Sequence, residues 1–113
     1  MCTQNQAIDI LKEVYSRCNL ILNNRIQDAY LYGSFARGDY HEASDVDILI
    51  RADIYVTDIA KYRNILAEVT SELSLENGIT VSVTVKTAEH FSRYAQILPF
   101  YKNVVGEGIR YAG

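Results

Sequence analysis

Between Gly33 and Ile50 the chain carries two short stretches that together demand a strand, a tight turn and a second strand. The first, Gly33-Ser34-Phe35-Ala36-Arg37-Gly38-Asp39, opens on glycine, the residue that turns a chain sharply and lets another group approach without a Cβ in the way. The second, Ser44-Asp45-Val46-Asp47-Ile48-Leu49-Ile50, sets two carboxylates two residues apart and then runs into three aliphatic residues. A strand places alternate side chains on one face, so Asp45 and Asp47 share a face roughly 7 Å apart while Val46 turns the other way.

The flanking segments supply the rest of such a sheet. Ala7, Ile10, Leu11, Val14, Tyr15, Cys18 and Ile21 recur at helical spacing behind Thr3-x-x-Gln6, which has the form of a capping box, so a helix is expected from about Thr3 to about Leu22. Asn23-Asn24 ends it, Ile26 to Tyr32 reads as a strand, and Val46 to Arg51 as a second. Thr57 is expected to cap a helix with the apolar face Ile59, Tyr62, Leu66, Val69 and Leu73, closed by Asn77-Gly78. From Ile79 to Val85, aliphatic residues alternate with Thr80, Ser82 and Thr84, giving a strand with one apolar and one hydroxylated face. Thr87 then caps a short helix through Phe91 and Tyr94. Pro99 punctuates the next stretch, and Gly106-Glu107-Gly108 leads into an extended piece at Ile109 to Tyr111. This order predicts one α/β (α+β) domain over residues 1–113, a small mixed sheet with helices packed on it.

The central stretch also carries chemistry. Backbone N–H groups at the Gly33-Ser34 turn would face outward beside the positive end of a helical turn, where phosphate is attracted. The Ser34 hydroxyl can bond a phosphate oxygen, and Arg37 follows about one turn later to neutralise it. Two carboxylates on one face repel unless a cation joins them. Mg²⁺ takes one or two carboxylates together with waters and substrate phosphates, so Asp45 and Asp47 beside a phosphate cradle suit it.

Gly33-Ser34, then Arg37-Gly38, then Ser44-Asp45-x-Asp47 followed by Ile-Leu-Ile resembles the signature of the DNA polymerase β-like nucleotidyltransferase superfamily. In size the chain is similar to the minimal nucleotidyltransferases, the antitoxin half of a pair with a small helical HEPN protein. The resemblance implies Mg²⁺-dependent transfer of a nucleoside monophosphate, commonly AMP from ATP, to a hydroxyl, in those pairs a tyrosine of the partner, and a lasting complex with it. It implies triphosphate contacts at Gly33, Ser34, Arg37 and Ser44, and catalytic metal ligands at Asp45 and Asp47. The motif spans only about Leu31 to Ile50; beyond it the likeness rests on the order of elements.

One part of the superfamily pattern is missing. A third carboxylate is expected on a later strand, but the strand that suits offers Thr80, Ser82 and Thr84. Glu42, Asp39 and Asp53 are the possible substitutes, placed less favourably on the preceding loop or beyond the far end of the metal strand. A chain that lacks the third acid but keeps the fold could instead act as a binding module that blocks a partner's surface.

The remaining features exclude more than they assign. A net charge of −3 argues against binding a nucleic-acid backbone, which needs clustered Lys and Arg. Transfer to an antibiotic or a nucleic-acid end is therefore a minor alternative. No apolar run approaches the ~20 residues of a membrane span and no basic-then-apolar leader opens the chain, so a cytoplasmic location is expected. Cys2 and Cys18, without metal-ligand spacing, read as reduced thiols, and His41 and His90 as surface residues. Tyr32, Tyr40 and Tyr55 could stack on a base, though half-buried packing is the commoner use. Tyr94, Phe100 and Tyr101 could form an exposed patch or fill space under the last loop.

Overall fold

The chain's first helix begins where its capping box says it should. The Thr3 hydroxyl accepts from the Gln6 N–H at 3.2 Å, and the Gln6 side chain accepts from the Thr3 N–H at 2.8 Å. The computed structural model describes residues 2–113, in the order α1 (Gln4–Ile21), β1 (Ile26–Tyr32), α2 (Ser34–Arg37), β2 (Val46–Ala52), α3 (Val56–Asn77), β3 (Val81–Thr87), α4 (Ala88–Tyr94), α5 (Pro99–Glu107) and β4 (Ile109–Tyr111). The strands form one mixed sheet in the order β3-β2-β1-β4, antiparallel except for β2 and β3, which run parallel because α3 carries the chain back across the sheet. Among the described residues, no helix is long and apolar enough to cross a membrane.

Three details depart from the expected elements. The helix read as capped by Thr57 begins at Val56, and its N-cap is Tyr55, whose side chain makes no capping hydrogen bond. Its end is as expected: Gly78 takes the left-handed conformation at φ 63°, and its N–H bonds the Ser74 carbonyl. The strand read from Ile79 runs from Val81 to Thr87, because the Ile79 N–H bonds Ser74 O at 3.2 Å and is still part of the helix-ending turn. Pro99, read as punctuation, opens a nine-residue helix, the first-turn position where its missing N–H costs nothing.

The two faces of the sheet are built differently. Ala29, Leu31, Ile48, Ile50 and Val81 turn toward α1 and α3 and join Leu11, Val14, Leu22 and Leu73 in the main core. Each fully buried aliphatic side chain there stabilises by roughly 1.5–3 kcal/mol, so this layer holds the fold. The other face carries Asp28, Tyr30 and Tyr32 from β1 in register with Arg51, Leu49 and Asp47 from β2, and these with Lys86, Thr84 and Ser82 from β3. A smaller cluster of Tyr30, Leu49, Phe91, Tyr101 and Val104 covers only its middle with α4 and α5. Tyr101 is therefore core, whereas Phe100 remains 42 % exposed.

Candidate active site

At the end of β1 the backbone of Gly33 takes φ 79° and ψ −156°, a conformation essentially closed to residues with a Cβ. The Ala36 and Arg37 N–H groups both return to the Gly33 carbonyl at 3.1 Å, closing α2, while Gly38 ends it in the left-handed region. The opening amides of such a turn have no carbonyl behind them to bond. The turn is held from outside: Gln4 of α1 donates to the Phe35 carbonyl at 2.9 Å, and Phe35 is buried with the Tyr40 ring stacked on it at 4.6 Å.

Asp47 stands in register with Tyr32 on one side and Ser82 on the other, which brings its carboxylate against the turn. A Cβ added to Gly33 would lie 2.8 Å from Asp47 Oδ2. The glycine is thus required twice, by its backbone and by its neighbour. Asp45 is exposed and Asp47 half-buried, with buried Val46 between them anchored to the inner core. Burial pushes the Asp47 carboxyl above its usual range, and the nearby Asp45 charge pushes the same way. Neither aspartate has a salt-bridge partner among the described residues. Two carboxylates without a salt-bridge partner among the described residues, one of them against the Gly33 turn, are the oxygen donors Mg²⁺ uses when substrate phosphates complete its shell.

The other expected contacts are placed with different partners. The Ser34 hydroxyl sits on the first residue of α2, beside Gly33. Arg37 is exposed and pairs with Asp39 at 3.2 Å and with Glu107 of α5 at 3.6 Å, contacts contributing only ~0–1 kcal/mol and open to exchange for a phosphate. Ser44 is buried and its hydroxyl accepts from the His41 N–H at 2.9 Å, shaping the loop that delivers Asp45. Tyr32, Gly33, Arg37 and the α5 residues Phe100, Asn103 and Glu107 line a cleft of about 270 Å³ over this end of the sheet. Of the tyrosines considered for stacking, Tyr32 is half-buried there, Tyr40 is occupied by Phe35, and Tyr55 is exposed near the start of α3.

Glu42, weighed as one substitute for the third acid, is exposed on the turn before β2. Among the described residues, no group of three or more His, Cys, Asp and Glu side chains is arranged to hold a metal ion. Ser82 occupies the position beside Asp47, and burial, aided by the Asp47 charge, raises the pKa of the Tyr32 phenol next to it. Asp39 is engaged by Arg37, and the Asp53 backbone bonds Arg25 at the far end of β2.

Asp28, on the same face, escaped sequence reasoning. It is fully buried, and its Oδ1 accepts from Arg51 Nε at 2.8 Å while Oδ2 accepts from Arg51 and from Arg110 Nε at 2.7 Å. Arg51 lies over the Phe91 ring at 4.7 Å. Two arginines distant in sequence converge on one carboxylate, a pattern that only strand pairing reveals. His90, exposed as expected, has Nδ1 2.7 Å from the Tyr101 hydroxyl and so ties α4 to α5.

Comparison with known proteins places the chain in a family. The family model described as nucleotidyltransferase domain matches residues 8–111. Two relatives from Methanocaldococcus jannaschii, provisionally named as protein adenylyltransferases, are 34 % identical over 87 % of this chain and 90 % of their own length, and 36 % identical over 68 % and 76 %. A crystal structure described as a mutant of the toxin–antitoxin MntA–HpeT shares the fold with a TM-score of 0.54 at 21 % identity, over 96 % of this chain and 72 % of that one.

Proposed function

From the premise that this chain belongs to the nucleotidyltransferase domain family, we propose that it transfers AMP from ATP to a hydroxyl of a protein, a tyrosine of a helical HEPN-type partner, as the antitoxin of a toxin–antitoxin pair. The observation that carries this reading is the Asp45–Asp47 carboxylate pair, without a salt-bridge partner among the described residues and with Asp47 held against the Gly33 turn. The names of the relatives favour a protein acceptor, and the toxin–antitoxin likeness favours a lasting partner.

In this reading the opening amides of α2 and the Ser34 hydroxyl bind the β- and γ-phosphates. Arg37 leaves Asp39 and Glu107 to join them, and Ser44 fixes the loop that sets Asp45. Asp45 and Asp47 hold Mg²⁺, which supplies charge stabilisation at the phosphoryl oxygens when bound. The acceptor oxygen bonds the α-phosphorus as the bridge to the β-phosphate breaks and pyrophosphate departs, the hydroxyl proton passing to water. With Ser82 where a general base would stand, the rate is lower by about 10²–10⁴ than a carboxylate would give.

The test is transfer of label from [α-³²P]ATP to the partner with Mg²⁺, comparing the wild-type chain with Asp45→Asn and Asp47→Asn. A loss of about 10²–10³-fold in both folded variants is expected, and equal labelling by either would end the catalytic reading. The absence of a third acid among the described residues favours a second reading, in which the domain neutralises its partner by covering it. Neutralisation that survives both substitutions without any labelling selects that one.

A further inference from the structure

Helix α5 contributes one face to the cleft that neither the phosphate turn nor the aspartate pair accounts for. Phe100, Asn103, Val104 and Glu107 stand at i, i+3, i+4 and i+7, and all four line it. Val104 is buried and forms the floor, whereas Phe100 keeps part of its ring exposed, set edge-on to Tyr32 at 5.4 Å. Asn103 is exposed, its amide open to whatever enters. At about 270 Å³ the cleft is close to the lower bound for small-molecule sites and suits a base with its sugar. Gly33 and Arg37 lie at its other wall, so phosphates laid over α2 would extend outside it.

Resting on the nucleotidyl-transfer reading above, we propose that α5 is the base-reading element: Phe100 stacks on the nucleobase and the Asn103 amide pairs with adenine. An amide offers an acceptor and a donor side by side, matching the N6 amino group and N7 of adenine, whereas guanine presents two acceptors at the same edge. Stacking, in contrast, is base-tolerant because every base has a π-face. The two residues therefore divide the work, one giving affinity and the other choice.

Equilibrium binding of ATP, GTP, CTP, UTP and inorganic tripolyphosphate to the full chain with Mg²⁺ tests this. The wild type should prefer ATP over GTP by about 10-fold or more. Asn103→Ala should erase that ratio while binding tripolyphosphate as before, and Phe100→Ala should weaken all four nucleotides by similar factors. An unchanged ATP-to-GTP ratio in Asn103→Ala, or a wild type that binds all four alike, overturns the assignment while leaving nucleotidyl transfer in place. A wild type that binds neither tripolyphosphate nor any nucleotide overturns the underlying reading and this one with it.

Discussion

Asp28 and Asp47 lie on the same face of the same sheet, on paired strands, and the protein treats them in opposite ways. Asp28 is removed from water and given two guanidinium groups; Asp47 stays half-buried with another carboxylate for company. A charge buried for the sake of the fold must be compensated within the fold, since an unpaired one costs several kcal/mol. A charge kept for a ligand can be left for the ligand to compensate. The main core on the other face, where α1 and α3 pack, supplies the stability that tolerates this.

The contrast breaks first at Asp28. Asp28→Asn keeps the shape but leaves Arg51 and Arg110 without their carboxylate; because both arginines reach solvent in part, a loss of about 2–3 kcal/mol is expected in denaturant unfolding, rather than the larger cost of a wholly buried pair. Mg²⁺-nucleotide binding by the surviving folded fraction should be unchanged, and a loss under 0.5 kcal/mol, about the size of an ordinary surface substitution, would show that the arginines are not there to compensate.

Gly33→Ala sharpens the other side. The added methyl meets Asp47 Oδ2 at 2.8 Å on a backbone where a Cβ is strained, so about 1–3 kcal/mol of stability should go, together with most of the transfer activity as Asp47 is displaced. Thermal melting and labelling of the partner read the two losses separately; activity at the wild-type level would place the metal ligands elsewhere.

The smallest effect is a pH dependence. Because the folded chain holds the Asp47 proton more tightly than the unfolded chain does, native protein binds more protons in the window between the ordinary carboxylate value, about 3.9, and the raised one. This contribution to stability is complete below that window and is lost as pH rises through it. Denaturant midpoints of wild type minus those of Asp47→Asn, taken without divalent cation, should therefore fall with rising pH there, and a rising difference would mean that Asp47 is compensated after all.

What was legible in the sequence was local. The Thr3–Gln6 box, the Asn77-Gly78 stop, the period-two alternation before Thr87 and the glycine-then-Asp-x-Asp stretch each declare themselves within a few residues, because capping, handedness and alternation are short-range physics. Asp28 did not, since what identifies it is two arginines 23 and 82 positions away. Helix α5 was hidden for another reason: Pro99, Gly106 and Gly108 crowd a short segment, and packing of Tyr101 and Val104 on the sheet outweighs their poor helix propensity. The pairing of Arg37 with Glu107 likewise follows from α5 being a helix, and so was out of reach.

The bond from Gln4 to the Phe35 carbonyl has a consequence for how the molecule breathes. It joins the opening turn of α1, whose first backbone bond runs from Ala7 to Thr3, to α2 and the Gly33 turn. Removing it in Gln4→Ala should therefore raise amide exchange both at Ala7 and in the glycine turn, the mark of a shared local opening. Amide exchange at Ala7 thereby becomes a remote gauge of how firmly the glycine turn is held.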